Sequence, residues 1–191
     1  MKCGKPIYED EKEFCRDCSV KIFSFERGVA GFAYSAAMKQ SMYAFKYNNR
    51  REYASYYAEV IYERYYNTIK NWDCDAFVPV PLHRSKYLKR GYNQAEVLAK
   101  ELSKRFNLPV DSDALIRTKN TRPQKELNDT ERKNNIEKAF QTVINSLEYK
   151  KVILVDDIYT TGATINECAG VLRRAGVENV YFVTACIGNG F

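Results

Sequence analysis

Long hydrophobic runs are missing from this chain of 191 residues, and its polar beginning has no apolar core of a secretory signal. A helix that spans a bilayer needs about 20 mostly apolar residues. We therefore predict a protein that is not an integral membrane protein. Without a signal segment, we expect a cytoplasmic location and reduced cysteines. The sequence also has no internal repeat and no low-complexity tract.

Histidine is almost absent, since His83 is the single histidine of the chain. An imidazole can act as a general base. No carboxylate stands beside His83 in the sequence, so a turn histidine that only forms hydrogen bonds is the favoured interpretation.

The composition is that of a globular protein, with 45% hydrophobic residues and a formal net charge of +6. The length suffices for one sizeable α/β domain with a small appendage. The positive charge suits an anionic ligand and also permits weak contact with nucleic acid. Charge alone does not choose between these partners.

Residues 152–164, VILVDDIYTTGAT, are the most informative stretch. Four apolar residues indicate a strand buried on both faces, as in a parallel sheet. Asp156 and Asp157 follow directly, and small residues then begin a helix over residues 165–175 that stops at Gly176.

A strand–loop–helix junction of this kind directs backbone N–H groups and a helix dipole at one point, which favours an anion. Two adjacent carboxylates can also accept hydrogen bonds from neighbouring hydroxyls. Phosphate and diol together describe a ribose 5-phosphate. The alternative is a capped helix whose aspartates merely start a turn, but it does not explain the paired acids and the threonine–glycine loop together.

This stretch resembles the signature of the type I phosphoribosyltransferases, which bind phosphoribosyl pyrophosphate (PRPP). The resemblance implies that Asp156 and Asp157 are catalytic residues that contact the ribose 2- and 3-hydroxyls, with Mg²⁺ bridging the diol and the pyrophosphate. It assigns the 5-phosphate to the loop residues Thr160, Thr161, Gly162, Ala163 and Thr164. Tyr159 departs from the pattern, because a small aliphatic residue is usual there.

A second junction of this type carries basic residues. The apolar run 75–82 ends as a strand near Pro79 because proline cannot continue a central strand, and a helix is predicted over residues 93–106. The basic turn between them contains three candidates for pyrophosphate binding: Arg84, Lys86 and Arg90. A solvated basic turn is the alternative.

We expect residues 35–70 to be helical, because they contain neither proline nor glycine. Aromatic and aliphatic side chains recur there at positions 53, 57, 61 and 65. The spacing favours an amphipathic helix packed on the sheet. A row of stacking platforms for single-stranded nucleic acid, assisted by Lys46, Arg50 and Arg51, is the alternative.

The remaining pattern predicts strands at residues 110–116, 139–143 and 180–186. A long polar segment at 117–138 lies between the first two of them. Such a segment is typical of a functional or disordered loop. Phosphoribosyltransferases have a mobile lid at this place, which excludes water during the reaction. The resemblance therefore makes Gln124, Arg132 and Asn135 lid candidates, and a solvated loop is the alternative.

Cys15 and Cys18 form a CxxC pair, which in a cytosolic protein indicates half of a Zn²⁺ site. Cys3 provides a third thiol, so the metal set Cys3, Cys15 and Cys18 is incomplete. A fourth ligand preceding Met1, a ligand from elsewhere such as Cys74, and the absence of metal all remain open. Cys168 and Cys186 are interpreted as core residues.

Three further blocks resemble the ComF family of competence proteins: residues 79–99, residues 117–140, and the cysteine-bearing start before FKYNNR. The resemblance implies a zinc-ribbon-like segment at residues 1–24 and a phosphoribosyltransferase domain at 25–191. The expected fold is α/β, with a parallel sheet flanked by helices.

The family resemblance also implies a role in the uptake of single-stranded DNA during natural transformation, beside a helicase-like partner at the inner face of the membrane. We expect a PRPP-binding phosphoribosyltransferase, but the sequence does not reveal its acceptor. The alternative is an accessory protein that binds single-stranded DNA, in which the PRPP site is regulatory or vestigial.

Overall fold

A parallel sheet lies at the centre of the computed structural model, which describes residues 2–7, 13–118, 139–142 and 148–188. In chain order the strands are β1 (Gly28–Ala33), β2 (Ala76–Pro79), β3 (Ile116–Arg117), β4 (Phe140–Gln141), β5 (Lys151–Tyr159) and β6 (Asn179–Ile187). The central sheet has the order β1-β6-β5-β2, with every neighbouring pair parallel. β3 and β4 form a separate antiparallel pair.

Helices cover both faces of this sheet, which confirms the expected α/β fold. They are α1 (Arg16–Val20), α2 (Ala36–Tyr47), α3 (Tyr53–Lys70), α4 (Arg84–Arg90), α5 (Gln94–Phe106) and α6 (Ala163–Arg174). In the part of the chain that the structure describes, no helix is both long enough and apolar enough to cross a bilayer.

The side chains of β5 alternate between two apolar layers, because successive residues of a strand point to opposite faces. Val152 and Leu154 pack in the layer that contains α6. Ile153 and Val155 pack in the layer that contains α3 and α5. Burial on both faces explains why the predicted strand appears in the sequence as an unbroken apolar run.

The helical prediction over residues 35–70 is confirmed for most of this stretch, which forms two helices, α2 and α3. α2 ends at Tyr47, and Asn49 adopts a left-handed conformation with φ of 54°. Asparagine tolerates that conformation better than most residues. The amphipathic interpretation of the second half is confirmed, since Tyr57 and Ile61 on α3 are fully buried.

The strand predicted at residues 110–116 is largely wrong. Val110 forms a single parallel bridge with Phe77, and the next strand begins only at Ile116. Between them Asp111 Oδ1 accepts hydrogen bonds from the backbone N–H groups of Asp113 and Ala114, each at 2.9 Å. This aspartate turn competes with the strand.

Other predicted elements are closer to the structure. β2, α5 and β6 lie where the sequence indicates them. Of the described residues 139–142 in the strand predicted at 139–143, Phe140 and Gln141 form β4. Cys168 and Cys186 are fully buried in the core, as expected.

The cysteine-bearing start of the chain packs against the α6 side of the sheet. Gly28 donates a backbone hydrogen bond to Lys2 at 3.0 Å, and the Ser24 amide donates to Asn166 Oδ1 on α6 at 2.7 Å. Phe23 and Phe25 belong to the same apolar layer as α6. The division of the chain between residues 24 and 25 stays a prediction.

Candidate functional site

The paired aspartates lie within the carboxyl-terminal half of β5, because the strand continues to Tyr159 instead of ending before them. Both residues are only partly exposed, and neither belongs to the apolar core. The Asp157 amide donates a hydrogen bond to Asp156 Oδ1 at 2.8 Å. This contact holds the Asp156 carboxylate against the backbone of Asp157 at the carboxyl edge of the sheet, where parallel α/β sheets bind ligands.

The loop after β5 has the features of an anion site. Gly162, with φ of 80°, is the residue that precedes α6, and the first turn of that helix contains no acidic residue. Within the described part of the chain, the Thr161 hydroxyl oxygen is buried and has no hydrogen-bond partner. A buried unsatisfied polar group costs about 1–3 kcal/mol. An anion at the helix start would satisfy this hydroxyl together with the first N–H groups.

Tyr159 supports this loop from below. Its ring is buried and stacks on Phe182 with centroids 4.8 Å apart. A Cβ atom at Gly162 would lie 2.4 Å from the Tyr159 hydroxyl oxygen. Residue 162 therefore has to be glycine both for its backbone conformation and for the space that Tyr159 occupies.

Lys46 faces the aspartate pair from the last turn of α2. Its Nζ lies 2.7 Å from Asp157 Oδ2, and the side chains of Lys46 and Asp157 are 19% and 15% exposed. A pair this well covered is screened by salt much less than a surface pair. The sequence pattern indicates Lys46 only as a possible nucleic-acid contact and gives no sign of its position at the site.

A cationic cluster adjoins the carboxylates, and we define it as Lys46, Lys86, Arg90 and Arg117. Burial and the neighbouring charges of Arg117, Arg90 and Lys46 lower the pKa of Lys86 to about 8. Burial also lowers the pKa of Arg117, whereas Asp156 acts in the opposite direction. Lys86 thus lies within electrostatic reach of the other three cations, and Arg117 lies within reach of Arg90 and Asp156.

Arg90 is held in place by two neighbours. It donates to Gln94 Oε1 at 2.9 Å and to the Tyr47 hydroxyl at 3.1 Å, and its guanidinium lies 5.0 Å from the centre of the Tyr47 ring. Of the three residues predicted for pyrophosphate, Lys86 and Arg90 belong to the cationic cluster, whereas Arg84 is exposed at the start of α4. The turn predicted here contains that short helix.

Asp156 lies in an environment that disfavours its charged form. Loss of surrounding water and the adjacent Asp157 charge raise the pKa of Asp156 to about 7, although part of the residue surface stays accessible. The Asp157 amide, Lys46 and Arg117 act against this shift. Asp156 is therefore poised to exchange a proton near neutral pH, as many groups at functional sites are.

His83 does not take part in this arrangement. It precedes α4, and its Nδ1 accepts a hydrogen bond from the Ser85 amide at 3.2 Å. The structure thus confirms the interpretation of a turn histidine. The lid candidates Gln124, Arg132 and Asn135 lie outside the described residues.

The thiols of Cys3, Cys15 and Cys18 form a second cluster, with all three sulfur atoms within 4.8 Å of one another. Zn–S bonds of about 2.3 Å place the sulfurs of a tetrahedral site roughly 4 Å apart, so these residues fit three of the four ligands of a zinc ion. Hydrogen bonding with Cys18 lowers the pKa of Cys3, and the same contact raises the pKa of Cys18, so the pair favours one thiolate, the form of cysteine that binds metal. Cys74 lies in the opposite apolar layer, against Trp72.

Comparison with known proteins agrees with the geometry of the β5–α6 junction. Residues 92–190 match the family described as phosphoribosyl transferase domain. This range contains both aspartates, the loop and α6. The fold and the site therefore place this chain in the class of proteins that contain a phosphoribosyltransferase domain.

Several curated proteins are similar to this chain. Competence protein F of Haemophilus influenzae is 39% identical over 108 residues, which cover 56% of this chain and 47% of that protein. DNA utilization protein YhgH of Escherichia coli strain K12 is 30% identical over 190 residues, which cover 97% of this chain and 82% of that protein. Competence protein ComFC of Bacillus subtilis is 29% identical over 188 residues, which cover 91% of this chain and 71% of that protein. The chain belongs to the ComF family and carries its phosphoribosyltransferase domain.

Proposed function

We propose that the protein binds PRPP at the β5–α6 junction and acts as a phosphoribosyltransferase. The observation that carries this proposal is the continuous segment 156–164, in which two carboxylates precede an unsatisfied buried hydroxyl and a helix start. Asp156 and Asp157 accept hydrogen bonds from the ribose diol. The loop from Thr160 to Thr164 binds the 5-phosphate with backbone N–H groups and hydroxyls.

The pyrophosphate of PRPP meets the cationic cluster in this proposal. Lys86 and Arg90 bind its oxygens, and the exposed Arg84 approaches from the start of α4. In the reaction, the bond between ribose C1 and pyrophosphate breaks, pyrophosphate leaves with the electron pair, and the acceptor forms the new bond to C1. Positive charge grows on the sugar ring, and the carboxylates below it stabilise that charge.

Mg²⁺ fits this site, because carboxylate and phosphate oxygens are its preferred ligands. Asp156 and Asp157 would hold it together with the pyrophosphate. When bound, the ion supplies positive charge to the leaving group. In this proposal Gln124, Arg132 and Asn135, which lie outside the described residues, keep the lid role that excludes water and limits wasteful hydrolysis.

We further propose that the three N-terminal thiols bind a structural Zn²⁺ ion. Their fit to three positions of a tetrahedral site supports this assignment. The names of the relatives support a role in DNA uptake, since they describe competence and DNA utilization. In that role the protein works inside the cell, near the membrane, beside a helicase-like partner.

A second candidate function is binding of single-stranded DNA, with the PRPP site regulatory or vestigial. Tyr43 and Tyr47 support it, because their rings are 58% and 51% exposed and lie 5.0 Å apart beside Arg90. Exposed aromatic rings next to a cation are typical stacking platforms for bases. The net charge of +6 is compatible with this partner.

Two titrations separate the candidates. For a PRPP site, PRPP with Mg²⁺ binds the wild type, and Asp157→Asn weakens binding by about 10–100-fold because a charged hydrogen bond is lost. The same variant keeps its affinity for a single-stranded oligonucleotide. Tyr43→Ala weakens oligonucleotide binding only, and Tyr66→Ala, which removes an exposed tyrosine packed on Phe106, is the matched control.

Turnover is tested by measuring pyrophosphate release from PRPP with a panel of nucleobases. Release with one base identifies the acceptor class and supports the enzyme. Binding of PRPP without release from any base supports a regulatory site. If PRPP neither binds nor stabilises the fold, the proposed PRPP function is wrong.

A further inference from the structure

Thr184 is a threonine in the interior of the central sheet. It is fully buried on β6, and within the described part of the chain its hydroxyl oxygen is buried and has no hydrogen-bond partner. A buried hydroxyl without a partner is destabilising, and an apolar side chain of similar shape would avoid that loss. The hydroxyl therefore calls for an explanation other than packing.

The pairing of the strands shows which polar side chain lies beside this hydroxyl. Thr184 pairs with Ala30 on β1 and with Asp156 on β5. Paired residues of parallel strands place their side chains on the same face, and adjacent strands lie about 4.7–4.9 Å apart. Ala30 has no polar side-chain atom. Of the two neighbours across the strands, only Asp156 can accept a hydrogen bond from the Thr184 side chain.

The other groups on this face are poor partners for a hydroxyl. Leu154 on β5 and Phe182 on β6, each two residues away from the pair, pack in the apolar layer that contains α6. From α6, Cys168 packs in the same layer, and burial together with the Asp156 charge raises the pKa of its thiol. A thiol is only a weak hydrogen-bonding group. The Asp156 carboxylate is therefore the strongest acceptor near Thr184.

Asp156 has room for a further hydrogen bond. Its Oδ1 accepts from the Asp157 amide at 2.8 Å, whereas an ionised carboxylate has about four acceptor sites. A rotation about the Cα–Cβ bond of Thr184 takes its hydroxyl from one staggered position to another. Such a rotation needs no movement of the backbone.

We propose that Thr184 is a positioning residue, whose hydroxyl donates a hydrogen bond to the Asp156 carboxylate when PRPP binds and so holds that carboxylate toward the ribose diol. This inference rests on the proposed PRPP function and adds a residue from outside the 152–164 stretch. The hydroxyl then gains in the bound protein the partner that it lacks in the ligand-free protein.

The test measures PRPP affinity in the presence of Mg²⁺ by isothermal titration calorimetry, with two pairs of proteins that differ by the hydroxyl. The wild type and Thr184→Val form the first pair, and Thr184→Ser and Thr184→Ala form the second. We expect loss of the hydroxyl to weaken binding by about 10–100-fold in each pair, because a hydrogen bond to a charged group is lost. Thr184→Ser should bind within about threefold of the wild type.

Stability in the absence of ligand should follow a different order. In urea unfolding, Thr184→Val should be at least as stable as the wild type, because the unsatisfied hydroxyl is gone. Thr184→Ser should be less stable, because the lost methyl group leaves a small cavity. A role in packing alone would give affinity and stability the same order. Thr68→Val, at an exposed position of α3, is the control and should leave the PRPP affinity unchanged.

The outcomes separate this inference from the function on which it rests. PRPP binding by the wild type and by Thr184→Val with equal Kd overturns the role of Thr184 and leaves the PRPP site intact. Equal weakening of Thr184→Ser and Thr184→Ala also overturns it, and this second pair decides the question if Thr184→Val does not fold. Failure of the wild type to bind PRPP with Mg²⁺ overturns both the inference and the proposed function.

Discussion

Replacement of Gly162 by alanine tests the packing beneath the loop that joins β5 to α6. Gly162 has φ of 80°, a conformation that costs a non-glycine residue about 1–2 kcal/mol. The new Cβ would also lie 2.4 Å from the Tyr159 hydroxyl oxygen and 2.9 Å from Cζ. The Tyr159 ring is stacked on Phe182 and cannot swing away, so overpacking adds about 1–3 kcal/mol. We expect Gly162→Ala to lower the free energy of unfolding by about 2–5 kcal/mol.

Gly91 is a matched control that separates the conformational cost of alanine from the cost of overpacking. Gly91 has φ of 79°, but a Cβ there would meet only Arg51 Nη2, at 3.7 Å. Gly91→Ala should therefore lose only the conformational part, about 1–2 kcal/mol. Combining Gly162→Ala with Tyr159→Phe removes the closest atom and should recover about 1 kcal/mol or more of the overpacking loss.

The comparison uses urea unfolding of five proteins, with free energies extrapolated to zero denaturant. They are the wild type, Gly162→Ala, Gly91→Ala, Tyr159→Phe and the double variant Gly162→Ala with Tyr159→Phe. Equal losses for the two glycine variants, together with no coupling between Gly162→Ala and Tyr159→Phe, would refute the argument. In that case the Tyr159 hydroxyl does not limit the loop.

The remaining predictions concern the acids and the thiols. The native pKa of Asp156 is raised to about 7 from an ordinary value of 3.8, so ionisation of Asp156 destabilises the native state progressively between about pH 4 and pH 7. In urea unfolding, Asp156→Asn should thus be more stable than the wild type at about pH 8, and the difference in free energy of unfolding should fade toward pH 4. A difference that does not depend on pH would contradict the raised pKa of Asp156. Cys15→Ser should lose Zn²⁺ on dialysis whereas Cys74→Ser retains it, as measured by metal content; equal retention by both variants would exclude Cys15 as a ligand.

The sequence was sufficient to predict the β5–α6 junction because its information is local. An apolar run, two acids and a glycine turn stand next to one another, and each has a direct structural meaning. The end of β5 was not predictable in the same way, since Asp156 and Asp157 disfavour strands in general. Pairing with β6 in the register Asp156–Thr184 outweighs that preference.

The cationic side of the site was predicted only in part. Lys86 and Arg90 lie in a basic turn that follows a strand, and this pattern indicated them. Lys46 and Arg117 come from separate segments and reach the aspartates through tertiary packing. Neither has a neighbouring pattern that distinguishes it from an ordinary surface cation, so only the fold could identify them.

Tyr159 lies between the turn at Gly162 and the thiol cluster near the start of the chain. One side of its environment is the turn at Gly162, and on the other the thiols of Cys3, Cys15 and Cys18 contribute to raising its pKa after burial itself. A truncated protein that starts at residue 25 would expose this ring to solvent. Deleting the cysteine-bearing start is therefore a poor way to study the phosphoribosyltransferase domain alone, because the deletion removes the thiols that lie beside Tyr159.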